Sequence, residues 1–302
     1  MHLLSVDIAL GITPLSIQHA LMLSYQHTYH AGNHADVLKH IILGDLLTGM
    51  FNKETPLFLL DAFASRGLYD LESPEALKNR EFDTGIGKLW PHRHGTFPMG
   101  PRRWFKLITS QNSNGGFRRF PGSTALLHAM TRDYDRLAAC DLHPQEFDSL
   151  RQTFQASRRF SLLKRDAFET LKALLPPKEK RGLIFLDPSY EIKEEYRSVA
   201  KAVIDAHRRF ATGVYVIWYP LLPAGRHNDL FNTLKSSGIR KIFRVELDCG
   251  NTFPEMQMSG SGMLIINPPW HAQQDMKSSL NWINEKLTDG EGRTCFGWMV
   301  PE

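Results

Sequence analysis

Gly182-Leu-Ile-Phe-Leu-Asp187-Pro188-Ser189-Tyr190 decides the fold. An unbroken apolar run this short, closed by an acid and a proline, reads as a strand buried on both faces that ends in a working loop. Downstream, Lys193–Phe210 carries a helical pattern, followed by a strand at Val214–Tyr219, a helix at Arg226–Ser237 and strands at Lys241–Leu247 and Met263–Ile266. Upstream, His34–Phe51 repeats Val37, Leu38, Ile41, Ile42, Leu46 and Leu47 at helical spacing. Then come strands at Leu57–Asp61, Leu137–Asp141 and Phe160–Lys164, with helices at Pro144–Ser157 and Ala167–Leu175. Strands alternating with helices predict an α/β fold, a mostly parallel sheet of seven strands covered on both faces. Four strands lead into an acid, at Asp61, Asp141, Asp166 and Asp187. Ligands of open α/β sheets bind at the carboxyl ends of strands, so four acids on that edge mark the expected site.

Composition narrows the class without naming a partner. The 302 residues are 42% hydrophobic and 23% charged, with a formal charge of +4. These values exclude collagen, long disorder and a disulfide-rich miniprotein. Cys140, Cys249 and Cys295 form no CxxC pair and suit a reducing, cytoplasmic setting. No apolar run reaches the ~20 residues of a membrane span. Residues 1–21 lack Lys and Arg and contain Asp7 and Pro14, a poor signal peptide. They read as an extension, either an upstream start or a loose arm, ahead of a catalytic domain at 22–302.

Asp141 follows Asp61 by 80 positions, where a crossover needs about 30 residues. The surplus, about 72–122, reads as an inserted helical subdomain. Its nine cations, among them Lys78, Lys106 and Arg119, outnumber its four acids and give it +5 on a remainder of −1. Trp90, Phe97, Trp104, Phe105, Phe117 and Phe120 are interleaved. Cations for phosphates and rings for unpaired bases suit RNA or DNA; equally, the rings suit the insert's own core.

Asp187-Pro188-Ser189-Tyr190 resembles the (Asp/Asn/Ser)-Pro-Pro-(Tyr/Phe/Trp) tetrapeptide of amino-group methyltransferases. The exocyclic amine of adenine is a weak nucleophile because its lone pair is delocalised into the ring. Asp187 and the Pro188 carbonyl would accept its two N–H groups, and Asp187 would take the departing proton. Tyr190 would stack on the extruded base. S-adenosylmethionine would supply the methyl group, with no metal. A second match, Asn267-Pro268-Pro269-Trp270, lacks a carboxylate and follows a late strand, so it is read as a strand terminator. The loop Asp61-Ala-Phe-Ala-Ser-Arg-Gly67 holds one glycine, a weak cofactor signal. Asp141 stands where an acid could bind ribose, and Asp166-Ala167 where an acid and an N–H could read an adenine edge. His27, His30, His34 and His40 admit three readings. They are a zinc pair at His30 and His34, a helix cap, or a polar strip along a ligand pocket.

Tyr25 to His40, with His30-Ala-Gly-Asn33-His34-Ala-Asp36-Val-Leu-Lys39-His40 at its centre, resembles the opening of the bacterial 23S ribosomal RNA adenine-N6 methyltransferase J family. The likeness continues through Phe120-Pro-Gly-Ser123, Arg181-Gly-Leu-Ile184, Arg209-Phe-Ala-Thr-Gly213, Trp218-Tyr-Pro220, Gly238-Ile-Arg-Lys241, Ile266-Asn-Pro-Pro-Trp270 and Val300-Pro-Glu302. It covers essentially Met22 to Glu302. The resemblance implies a Rossmann-like, S-adenosylmethionine-dependent methyltransferase with a helical insert after its first strand. Such an enzyme acts on adenine N6 of free 23S RNA, as a monomer. Carried over by position, Lys39, His40, Ser123, Asp141, Asp166 and Ala167 would contact the cofactor. Asp187 would be the proton acceptor, Pro188 and Tyr190 would place the adenine, and Tyr25 and His27 would belong to the N-terminal motif that closes over the site. The chain departs from the family at Phe63–Arg66, Asp141, Ala167 and Ser189, all on the cofactor and catalytic edge. Arg66 could fill the space of absent glycines or approach the cofactor carboxylate. The departures leave two other readings open, an RNA-binding homologue without catalysis and a DNA adenine methyltransferase.

Overall fold

The computed structural model describes residues 25–250 and 258–302. The expected extension at 1–21 lies outside the described residues. The central sheet has eight strands rather than seven: β1 (Phe58–Asp61), β4 (Arg136–Asp141), β5 (Phe160–Lys164), β6 (Gly182–Leu186), β7 (Val214–Leu221), β8 (Ile242–Asp248), β9 (Gly260–Ile266) and β10 (Arg293–Val300). Their spatial order is β10-β8-β9-β7-β6-β1-β4-β5. β1 pairs parallel with β4 and β6, β4 with β5, and β6 with β7. β9 runs antiparallel between β7 and β8, and β10 is an antiparallel edge on β8.

Every residue of β6 and β1 is buried. Side chains alternate across the pleat. Leu59, Leu137, Leu183, Phe185 and Val216 point into one core; Phe58, Leu60, Ala138, Ile184 and Ile217 point into the other. The second core is closed by α7 (Ala167–Leu174), α8 (Lys193–Arg209) and α9 (His227–Lys235). The first is closed by α1 (His34–Met50) and α10 (Ala272–Thr288), which pack on one another.

α1 is buried on nearly all sides, which suits a helix with few exposed polar positions and fixes it inside the molecule. Asn33 caps it by accepting the Asp36 N–H at 3.0 Å. Between β1 and β4, a two-stranded ribbon of β2 (Leu68–Asp70) and β3 (Arg119–Pro121) brackets α2 (Pro74–Asn79), α3 (Ile86–Leu89) and α4 (Met99–Ser110). α4 lies against both α1 and α10. Trp90, Trp104, Phe105 and Phe120 are buried here, with Phe97 and Phe117 packed on them. The rings pack into the core shared with α1 and α10, Phe97 and Phe105 lying 5.9 and 6.0 Å from the Trp282 ring. α5 (Ser123–Met130) then leads to β4, and α6 (Pro144–Thr153) follows it.

α10 and β10 lie beyond the last strand legible in the sequence. Asn267 explains the break: it sits at φ +57, and its amide donates to the Ala211 and Gly213 carbonyls. Because β9 is antiparallel to β7, the turn at Pro268-Pro269 falls on the opposite sheet edge from Asp187. The second tetrapeptide is thereby a strand terminator that launches α10.

Candidate active site

The neighbours β6, β1, β4 and β5 point their carboxyl ends the same way, so Asp187, Asp61, Asp141 and Asp166 emerge in a row. A cavity of about 990 Å³ opens above them. All eleven side chains singled out in the sequence line it: Tyr25, His27, Lys39, His40, Ser123, Asp141, Asp166, Ala167, Asp187, Pro188 and Tyr190.

At one end stands Asp187. Its Oδ2 accepts a hydrogen bond from Lys39 Nζ at 2.5 Å, and the same ammonium lies 2.8 Å from Asp36 Oδ1. Burial opposes the Lys39 charge, but Asp187 and Asp36 outweigh it and hold the ammonium above its ordinary pKa. Asp36 is fully buried. It accepts the Gly32 N–H at 2.8 Å and lies 3.0 Å from His27 Nε2. Burial would raise its carboxyl, yet His27 and Lys39 hold it well below the usual range. The Tyr25 hydroxyl is 2.9 Å from His27 Nδ1. One hydrogen-bonded line therefore runs Tyr25–His27–Asp36–Lys39–Asp187.

Tyr190 adopts φ +53, an uncommon backbone for a bulky residue. Its hydroxyl donates to the Trp218 carbonyl at 2.8 Å and its ring stacks on Tyr196 at 4.1 Å. Trp218 lies beside it at 6.1 Å, so the ring is fixed in place on the cavity wall. Trp218, inside β7, carries the Lys39 ammonium 5.3 Å from its ring centroid.

At the other end, Asp141 accepts the N–H groups of Ser65 and His143, each at 2.8 Å. Burial pushes its carboxyl up to about 6. The Ser123 and Thr124 hydroxyls both donate to Asp61 Oδ2 at 2.7 Å, while Asp61 Oδ1 is buried without a partner among the described residues. Burial lowers His40 to about 3, so its imidazole is neutral, and its Nδ1 is likewise unpartnered. Asp166 caps α7 by accepting the Glu169 N–H, and Ala167 is the first residue of that helix, where an N–H lacks an intrahelical acceptor. An orphan imidazole nitrogen and a free helix N–H on the cavity wall fit a polar adenosyl group.

Arg66 is not among the residues lining the cavity. Its guanidinium is paired with Glu146, at 2.5 and 3.0 Å, and Ser65 Oγ donates to the same carboxylate. His30 likewise pairs with Glu81 at 2.7 Å. Among the described residues no group of three His, Cys, Asp or Glu side chains could hold a metal ion.

Three site residues escaped the sequence reading. Asp36 had a signal, its i,i+3 spacing to Lys39 on one helix face. Trp218 follows from strand order, since β7 borders β6. Glu195 has none: it is a cavity-lining acid that burial pushes up to about 7.

A parallel sheet with a cofactor-sized cavity at its carboxyl edge, and a carboxylate–proline loop facing it, defines the Rossmann-like S-adenosylmethionine-dependent methyltransferases. Comparison narrows the class. A family model described as ribosomal RNA large subunit methyltransferase D, RlmJ, matches residues 54–300. Ribosomal RNA large subunit methyltransferase J of Escherichia coli K12 is 38% identical over 282 residues, covering 93% of this chain and all of the relative. Its counterpart in Haemophilus influenzae Rd is 39% identical over 283 residues with the same coverage. Among solved structures, protein LPL1258 of Legionella pneumophila superposes with a TM-score of 0.81 at 34% identity, over 89% of this chain and 98% of that one. The chain belongs to the ribosomal RNA large subunit methyltransferase J family. Among the described residues no helix is long and apolar enough to cross a membrane.

Proposed function

We propose that this protein methylates N6 of a specific adenine in 23S ribosomal RNA, acting on free RNA in the cytoplasm as a monomer. The observation that carries the reading is Asp187, held by Lys39 at 2.5 Å at the floor of the cavity, beside Pro188 and Tyr190. S-adenosylmethionine, when bound, supplies the electrophilic methyl carbon. Asp187 and the Pro188 carbonyl accept the two amine N–H groups, which frees the nitrogen lone pair for in-line attack, and Asp187 keeps the proton that leaves. Tyr190 stacks on the base. Lys39 orients Asp187 from behind. Asp141 takes the ribose hydroxyls, Asp166 and Ala167 the adenine edge, and His40 and Ser123 the remaining polar atoms of the cofactor. Tyr25 and His27 close the site from the amino-terminal side.

RNA approaches across the segment 72–122, where Lys78, Lys106 and Arg119 are exposed. With its rings packed into the core, this segment acts through phosphates. The test is nucleoside mass spectrometry of 23S RNA from a host lacking the gene. Loss of one N6-methyladenosine, restored by the wild-type chain but not by Asp187→Ala, is expected. An unchanged N6-methyladenosine content would overturn the reading.

A further inference from the structure

Two carboxylates share one buried ammonium. Lys39 Nζ lies 2.5 Å from Asp187 and 2.8 Å from Asp36, and its side chain is 3% exposed. Asp36 is held in turn by the Gly32 N–H and by His27. Asp36 is fully buried and is linked to Asp187 by the Lys39 ammonium, which both carboxylates contact. Resting on the methyltransferase function above, we propose that Asp36 is a positioning residue that sets, through Lys39, how readily Asp187 accepts the amine proton, and that His27 adjusts it from the outer side.

The electrostatics follow from sharing. An ammonium divided between two acids stabilises the charge on each less than it would stabilise one alone. If Asp36 loses its charge, Lys39 pairs with Asp187 alone, and Asp187 becomes a weaker base. If His27 is removed, Asp36 loses a hydrogen-bond donor and draws Lys39 toward itself, and Asp187 becomes a stronger base. The other groups facing Asp187 are Asp61 from β1, Tyr25 from the amino-terminal segment and Tyr190 of its own loop. Those facing Asp36 are His27, Lys39 and His40, together with Tyr25, His30, His34 and Tyr69.

The experiment follows kcat/KM against pH for the full chain on protein-free 23S RNA with saturating S-adenosylmethionine. Asp36→Asn is expected to move the acid limb to lower pH by roughly half a unit, about threefold in rate on the limb, with a lower plateau. His27→Ala is expected to move it to higher pH by a similar amount. Limbs that stay in place, or that move in the same direction, would overturn the assignment, since a merely structural role lowers the plateau without opposed shifts. Should Asp36→Asn fail to fold by thermal melting, His27→Ala decides alone: an upward shift supports the proposal and an unmoved limb refutes it. Absence of wild-type transfer would overturn the proposed function as well, whereas wild-type transfer with unmoved limbs would overturn only the role of Asp36.

Discussion

Asp187 is the residue on which the chemistry turns, and its neighbours were unevenly legible. Its place after the best buried strand, with Pro188 behind it, could be read directly from the chain. Its dependence on Lys39 could not, because the two are 148 residues apart and meet only once α1 lies inside the fold. Ser189, where the family pattern has proline, leaves Tyr190 still bonded to the Trp218 carbonyl at 2.8 Å. Asp187→Asn should therefore lower methyl transfer by roughly 10²–10⁴-fold, the range for losing a positioned acid–base group. Calorimetry should show S-adenosylmethionine affinity changed only a few-fold. A comparable loss of cofactor affinity would mean that Asp187 acts chiefly in binding.

Among the elements, α1 does most to assemble the site, and its burial is sustained by a polar contact the sequence did not announce. Asp45 on α1 accepts from Ser279 of α10 at 2.6 Å and from Arg103 of α4 at 3.3 Å, joining three helices. Burial raises its carboxyl to about 6. Its folded pKa exceeds the unfolded value, so its favourable contribution is complete below about pH 4 and is lost as pH rises through 6. Asp45→Asn removes that loss. Relative to wild type, the variant should gain about 2 kcal/mol between pH 4.5 and 7.5 in chemical denaturation, and a pH-independent difference would refute the assignment. Gly100 opens α4 beneath this contact, where a Cβ would meet Asp45 Oδ1 and Ser279 Oγ at 2.5 Å. Gly100→Ala should destabilise by about 1–3 kcal/mol, seen as a lowered Tm. α10 itself was legible in principle, because Met276, Leu280, Ile283 and Leu287 repeat at helical spacing and are buried. Pro268-Pro269 masked it by reading as an end. β10 was harder: it is half-exposed and lies on the sheet edge, where alternation is weak.

At the scale of the molecule, charge is unevenly placed. A net +4 says little until it is divided into +5 on residues 72–122 and −1 on the rest. The sequence could not say whether the interleaved rings of that segment faced RNA or one another, because stacking and packing draw on the same residue types. Burial of Trp104 and Phe120 to 1% and 0% decides for packing. Replacing Lys78, Lys106 and Arg119 by Glu should weaken 23S RNA binding and flatten the slope of log K against log salt by about one for each phosphate no longer engaged, with S-adenosylmethionine affinity unchanged. An unaltered salt slope would place the RNA on another face.

The most direct measurement supplies wild-type chain and Asp187→Asn with protein-free 23S RNA and methyl-labelled S-adenosylmethionine, then digests the RNA to nucleosides for mass spectrometry. Label confined to N6-methyladenosine at one position, and reduced at least ~10²-fold by Asp187→Asn, is the expected result. Label in another nucleoside, or undiminished in the variant, would contradict adenine-N6 methylation at the Asp187 carboxylate.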